Sequence, residues 1–392
     1  MRSGYDIVVI GGAVMGASTA YWLTAMDPAL KVLVVERDPS YAQSATALSV
    51  ASIRSQFSNP VNVQISRFGL EFIKDFANRL PQGGVSDLGL KENGYLFLSN
   101  RPDAVEQMET LAAMQRALGA QTQVLDPAAL SARFPWMNLD DVVAGSFGPS
   151  GEGWFDNMGL LGGLRAQARA QGATFVNDTV VGLDRDQDRV VAVHLASGGR
   201  IETGAVVNAA GTRGAEVMRY LDEDLPVEPR KRTVFVIDAP NARHPDAPLL
   251  VDHSGFYMRP EHGQWITATV PSLDGPCAVD DFDPDHALFE NEIWPALYNR
   301  ASGFDAIKVT RFWVGHYDFN TLDQNAILGR HPGYTNLYMC NGFSGHGLQQ
   351  APAVGRGLAE QILTGDWVSL DLSPLGMARV LEGRAFAEIA IV

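Results

Sequence analysis

The sequence predicts an α/β fold: a Rossmann-like, dinucleotide-binding domain interrupted twice by a second domain built on a mixed or antiparallel sheet. Three observations predict it. Residues 5–36 run through an apolar strand, a glycine-rich turn, a helix and a second strand closed by an acid. Far along the chain, Val206-Val207-Asn208-Ala209-Ala210-Gly211 reads as an apolar strand ending in small residues that suit close approach to a ligand. Two stretches of short strands punctuated by proline and glycine, one between these segments and one after them, interrupt that pattern.

The apolar run at 7–10 suits a buried parallel strand. It enters Gly11-Gly12-Ala13-Val14-Met15-Gly16, where Gly11 makes the bend, Gly16 lets helix and strand approach, and the exposed helix amides attract a pyrophosphate. The fingerprint expects glycine where Ala13 stands; one methyl narrows the phosphate room without closing it. The helix lays Ala17, Ala20, Leu23 and Ala25 against a sheet and stops at Asp27-Pro28. After a strand at 31–35, Glu36 lies where such a unit places an acid on ribose hydroxyls, which argues against a 2′-phosphate.

Residues 40–52 form a polar, small-residue loop. Its Ser44, Thr46 and Ser49 hydroxyls can donate to phosphate or to a ring carbonyl, although loop composition alone gives the same pattern. Arg54, Gln56 and Phe57 close the loop before a helix at 62–79 with Val63, Phe68, Phe72 and Phe76 inward. The first excursion opens near Val85 with a strand at 94–98. A helix follows, with Asp103 as N-cap, Glu106 completing a capping box, Val105, Met108, Leu111 and Leu118 as its buried stripe, and Gly119 as its end. Asp126-Pro127 starts another short helix. Near Gly151 the chain re-enters the first domain through a helix at 157–171 and short strands around Phe175, Val180 and 190–195. The second excursion holds strands near 234–237, 256–259 and 265–269 and a helix at 284–298. The expected division is 1–84, 150–225 and 313–392 for the dinucleotide domain, and 85–149 with 226–312 for the second.

The last informative stretch is Asn341-Gly342-Phe343-Ser344-Gly345-His346-Gly347-Leu348-Gln349-Gln350-Ala351-Pro352, leading into a helix to about residue 364 with Pro352 in its first turn. A glycine-rich loop at a helix N-terminus makes a second place for a negative or negatively polarised group. Gly342-Phe343-Ser344-Gly345 suggests a nucleophile elbow, but His346 stands where the fifth position requires glycine, so a serine hydrolase is rejected. No Walker sequence occurs, and the eight histidines show no ligand spacing, leaving metal chemistry unsupported.

Composition bounds the remaining possibilities. A chain of 392 residues with 46% hydrophobic content suggests two or three domains. A formal charge of -15 and a pI near 4.9 make nucleic acid an unsuitable partner. Cys277 and Cys340 are too few for a disulfide framework. The first strand begins too early for a signal peptide, and no apolar run approaches the roughly 18 residues of a membrane span, so a cytoplasmic protein is expected.

Five blocks now stand in order: the N-terminal turn, the loop ending Ser52-Ile53-Arg54-Ser55-Gln56-Phe57, Gly151-Glu152-Gly153-Trp154-Phe155-Asp156, Asn208-Ala209-Ala210-Gly211, and the stretch at 342–352. Over nearly the whole chain that order resembles the D-amino acid oxidase superfamily of FAD enzymes, nearest its sarcosine oxidase and dimethylglycine dehydrogenase branch. It is also similar to FAD-dependent oxidoreductase-domain proteins associated with respiratory complex I assembly. The resemblance implies a discontinuous FAD domain of the glutathione-reductase type and a substrate domain whose sheet roofs the flavin.

It further implies that Gly11, Gly12, Ala13, Val14, Met15 and Gly16 hold the pyrophosphate, and Glu36 with Arg37 the ribose and adenine end. Ser44, Thr46 and Ser49 would line the ribityl and phosphate path, with the Val180 backbone against the adenine. Ala210 and Gly211, with Gly342, Phe343, Ser344, Gly345, His346, Gly347 and Leu348, would contact the flavin chain and ring. Gly315 stands where monomeric sarcosine oxidases attach flavin to cysteine, so the FAD is expected to be noncovalent. Tyr317 stands near where D-amino acid and glycine oxidases carry a carboxylate-binding arginine. That places Arg54 and Arg259 as candidate clamps, Tyr257 and Tyr317 as hydroxyl donors, and Gln349 where the sarcosine branch often has lysine. His316 and His346 are candidates for tuning the flavin or holding substrate. The lysine that assists oxygen reactivity is replaced near Trp265 or Ile266, leaving oxygen and another electron acceptor both open. The implied activity is oxidation of the carbon–nitrogen bond of a small secondary or N-substituted amino acid; the alternatives are a 2-hydroxy acid dehydrogenase and a partner-binding flavoprotein.

Overall fold

The computed structural model describes residues 4–390 and holds two eight-stranded sheets. In the first, five parallel strands lie in the order Leu337–Asn341, Arg200–Asn208, Gly4–Ile10, Val32–Glu36 and Thr174–Asn177, with Ile327–Arg330 antiparallel at one edge. Val8, Val9, Leu33 and Val34 are fully buried, as the unbroken apolar runs of central parallel strands require. Helices Val14–Met26, Pro60–Lys74, Asn157–Ala170 and Gly347–Thr364 pack together on one face through Leu23, Phe72, Leu161 and Val354. The hairpin of Val180–Asp186 with Arg189–Leu195, together with helix Gly214–Arg219, contributes Leu183, Val193, Val217 and Met218 to a second core.

Close packing at the first helix depends on one residue. A Cβ on Gly16 would lie 1.9 Å from the Gly11 carbonyl oxygen, so no side chain fits there. On the same helix, the Ser18 hydroxyl donates to the Ala351 carbonyl at 2.7 Å and the Trp22 indole to the Pro352 carbonyl at 2.8 Å. These bonds pin the first helix to Gly347–Thr364, which starts earlier than expected and so places Pro352 inside it rather than in its first turn.

The second sheet runs Lys308–Asn320, Val227–Asp238, Gln264–Thr269, Phe256–Glu261, Leu249–Val251, Tyr95–Ser99, Ala144–Gly148, Gln123–Leu125. Only Leu249–Val251 with Tyr95–Ser99 is parallel, joining the two excursions into one sheet. The expected boundary at 312/313 falls within Lys308–Asn320, which pairs with Val227–Asp238 from Lys308 to Asn320; the sheet therefore extends past that boundary.

Local expectations fail where side chains have other partners. Asp103 is helical and caps nothing, because its carboxylate faces Arg101; on that helix only Ala112 and Gln115 are buried, while Val105, Met108, Leu111 and Leu118 are half-buried. By contrast, Asp126 accepts from the Ala129 N–H at 2.8 Å and caps its helix. The helix expected at 284–298 does form, as a helical run over 287–300 that contains a π turn, Phe289–Ile293, ahead of Trp294–Arg300. No described helix is long and apolar enough to cross a membrane.

Candidate active site

One cavity is lined by residues from both sheets. At the N-terminal turn its wall includes Gly11, Ala13, Val14 and Met15. Gly11 has φ of +96°, and a Cβ there would lie 2.4 Å from the Ala209 carbonyl oxygen. Gly12 and Gly16 shape the turn from behind the wall. The Gly12 N–H donates to Glu36 Oε2 and the Asp38 N–H to Oε1, both at 2.8 Å, so two amides fix the Glu36 carboxylate at the cavity. Exposed Arg37 lies beside it, and Val180, Ala210 and Gly211 add to the wall.

Ser44, Thr46 and Ser49 also border the cavity; the Ser44 and Ser49 protons are engaged within the protein, whereas Thr46 only accepts. Thr46 Oγ1 accepts from the Val14 N–H at 3.2 Å, and the Ser44 and Ser49 hydroxyls donate to the Tyr41 and Thr46 carbonyls. This bonding holds the loop in shape against the helix start.

The second glycine loop contributes Phe343, Ser344, Gly345, His346, Gly347 and Leu348. Gly342 lies behind the wall, its N–H donating to Asp318 Oδ2 at 2.9 Å. The Phe343 N–H donates to the same oxygen at 3.2 Å; burial nevertheless dominates and pushes the Asp318 carboxyl up to about 6. Gly345 has φ of +94° and would place a Cβ 2.5 Å from the Tyr317 ring, so only glycine lets the loop close over that tyrosine.

A polar cluster occupies the part of the cavity shared with the second sheet: Arg54, Tyr257, Tyr317, His346 and Gln349 all border it. The Arg54 guanidinium donates to the Gln56 and Ala390 carbonyls and lies 3.9 Å from the centre of the Phe57 ring. Gln349 Oε1 accepts from the Arg54 backbone N–H at 2.6 Å. Burial pushes the Tyr257 and Tyr317 phenols up, with the nearby Arg232 charge opposing it. His346 is buried with neither ring nitrogen hydrogen-bonded, and burial with the Arg54 charge lowers it to about 4. His316 reaches the wall too, yet its Nε2 is 2.6 Å from the Asp281 carbonyl and its ring stacks on Phe282, so it serves the loop behind.

Arg259 is a correction: it does not border the cavity. Its guanidinium is taken by Glu261 and the Val50 carbonyl and lies over Trp154. Arg232, which sequence reasoning missed, does border the cavity. It is 4% exposed, paired with Asp274 at 2.6 Å, and its Nε has no partner. The available signal was the basic triplet Arg230-Lys231-Arg232, but the register that pairs Arg232 with Gly315, two residues from Tyr317, is not readable from one strand alone. Tyr95, also missed, borders the cavity from an ordinary apolar strand. Glu152 stands between two glycines, and that spacing was its only signal. Its carboxylate accepts from the Ser55 N–H and the Gln56 amide, and burial pushes it up to about 7.

These residues fit FAD. A side-chain-free turn at a helix start, an acid fixed by amides, and a second glycine loop opening another helix all border one cavity, beside a buried histidine whose ring nitrogens lack partners. Comparison with known proteins agrees. The model of the DAO family, FAD dependent oxidoreductase, matches residues 6–361. FAD-dependent oxidoreductase domain-containing protein 1 of Xenopus laevis is 37% identical, covering 99% of this chain and 85% of its own. Mitochondrial sarcosine dehydrogenase of Mus musculus is 26% identical over 93% of this chain and 40% of its own. Among solved structures, L-proline dehydrogenase from P. horikoshii has the same fold, with a TM-score of 0.86 at 24% identity over 98% of this chain and all of its own. The chain belongs to the DAO family and is an FAD-dependent oxidoreductase.

Proposed function

We propose that this enzyme oxidises the carbon–nitrogen bond of a small amino acid, preferentially a secondary or N-substituted one. Bound FAD supplies the hydride acceptor. The observation that carries the reading is the gathering of Arg54, Tyr257, Tyr317 and unpaired His346 at one part of the cavity. Arg54 binds the substrate carboxylate, because its charge is met by carbonyls and a ring rather than by a carboxylate. The tyrosine hydroxyls orient the amine; their raised values keep them protonated as donors. Gly342 to Leu348 hold the second loop at a helix start, which favours negative charge building there. The substrate nitrogen's lone pair forms the C=N bond as the hydride leaves carbon, and water then cleaves the imine. Arg232 is neutralised by Asp274 and shapes the wall.

The cofactor is held without a covalent bond, since Gly315 offers no attachment. Among the described residues no lysine borders the cavity, which supports an electron acceptor other than oxygen. A second reading, oxidation of a 2-hydroxy acid, draws on His346: neutral at ordinary pH and unpaired, it is able to take a hydroxyl proton. Turnover of an amine and hydroxy acid panel with an electron-accepting dye separates the two. Aldehyde or keto acid together with released amine or ammonia supports amine oxidation, whereas a keto acid without released nitrogen supports the second reading.

A further inference from the structure

Residues 386–390 lie across the start of helix Pro60–Lys74 and finish beside Arg54. Asn59 precedes that helix without capping it. Glu388, 1% exposed, supplies the acceptors instead. Its Oε1 takes the Ser58 N–H at 2.8 Å and the Ser58 hydroxyl at 2.6 Å, while Oε2 takes the Asn62 amide at 2.9 Å and the Asn59 N–H at 3.2 Å. The segment is also tied down from the other side. The Phe386 N–H donates to Asp323 Oδ2 at 2.9 Å and the Glu388 N–H to the Asp323 carbonyl at 3.1 Å, with Asp323 itself held in a buried ion pair by Arg379 at 2.7 Å. Two residues beyond Glu388, the Ala390 carbonyl accepts from Arg54 Nη2.

This arrangement differs from that of the neighbouring arginines. Arg232 and Arg259 are met by the carboxylates of Asp274 and Glu261, which cancel their charge. Arg54 is fixed by two carbonyls and the Phe57 ring, which hold its plane, and no carboxylate among the described residues pairs with it directly, although its charge is felt by the buried Glu152 carboxyl. A guanidinium already locked in place loses little freedom when a carboxylate binds it bidentately. We propose that Glu388 is a positioning residue: by seating residues 386–390 on the helix start, it presses the Ala390 carbonyl against Arg54 and presets that side chain for the substrate carboxylate. The proposal rests on Arg54 being the carboxylate's partner.

Acetate, titrated into the FAD-loaded enzyme and followed by perturbation of the flavin spectrum, is the probe, with acetamide as its neutral counterpart. Glu388→Ala, and separately a variant lacking residues 387–392, are expected to weaken acetate binding about tenfold while leaving flavin content and acetamide affinity as in the parent. The shortened variant carries the test if Glu388→Ala does not fold. Unchanged acetate affinity in the folded variants overturns the proposal, as does an equal loss for acetate and acetamide, which marks a general structural defect. Arg54→Gln separates the underlying reading: wild-type acetate affinity in that variant removes Arg54 as the carboxylate's partner, whatever Glu388 does.

Discussion

The backbone N–H of Arg54 donates a 2.6 Å hydrogen bond to the side-chain oxygen of Gln349. Through this bond the loop that precedes helix Pro60–Lys74 is fastened to the first turn of helix Gly347–Thr364, just after the glycine loop and 295 residues further on. The candidate substrate clamp and the candidate flavin loop are thus held in one frame.

Arg54→Gln should keep FAD and lose substrate. Removing a buried cation that meets a carboxylate costs about 3 kcal/mol, or about 150-fold in kcat/KM. Steady-state kinetics with an identified substrate, alongside flavin absorbance, checks this; an unchanged kcat/KM assigns the carboxylate elsewhere.

Gly16→Val should abolish FAD retention. Its Cβ meets the Gly11 carbonyl oxygen at 1.9 Å, which forces the first helix away from the turn. The ratio of flavin to protein absorbance after purification is the readout, and a parent-like ratio would contradict the cradle described above.

Acid precipitation should leave the yellow colour in the supernatant. Gly315 provides no sulfur, and the Cys340 thiol that borders the cavity is pushed strongly up by burial, so it does not present a thiolate there. Colour in the pellet would establish a covalent link.

Glu152 should make the protein less stable as pH rises. A carboxyl held at about 7 instead of its ordinary 4.5 keeps a proton in the folded state that the unfolded chain has released, so stability falls through the window between those values. The full effect is about 3 kcal/mol above that window. Glu152→Gln, which mimics the protonated form, should remove this component. Chemical denaturation of both proteins at pH 5 and pH 8 measures the difference, and parallel pH dependence would refute it.

The legible parts of the molecule are those with local causes. Gly11 and Gly16 announce the turn because a backbone path without side chains is needed wherever the helix is packed this tightly. The unbroken apolar runs likewise announce parallel strands. Long-range register was not legible: Arg259 and Arg232 are both arginines on strands, and which one reaches the cavity depends on pairing partners far away in sequence. Glu388 was hidden for the same reason, since its partners Ser58 and Asn62 lie over 320 residues earlier. The strand Lys308–Asn320 crossed the expected domain boundary because its long pairing with Val227–Asp238 leaves no composition change to mark the end.

The most direct test of amine oxidation is anaerobic mixing of the FAD enzyme with matched compounds: an N-methyl amino acid, the same amine without its carboxylate, and the corresponding 2-hydroxy acid. The account predicts rapid bleaching of the flavin band by the amino acid, reduction slower by about 100-fold without the carboxylate, and none by the hydroxy acid. Bleaching by the hydroxy acid alone, or by none of a broad amino acid panel, would contradict it.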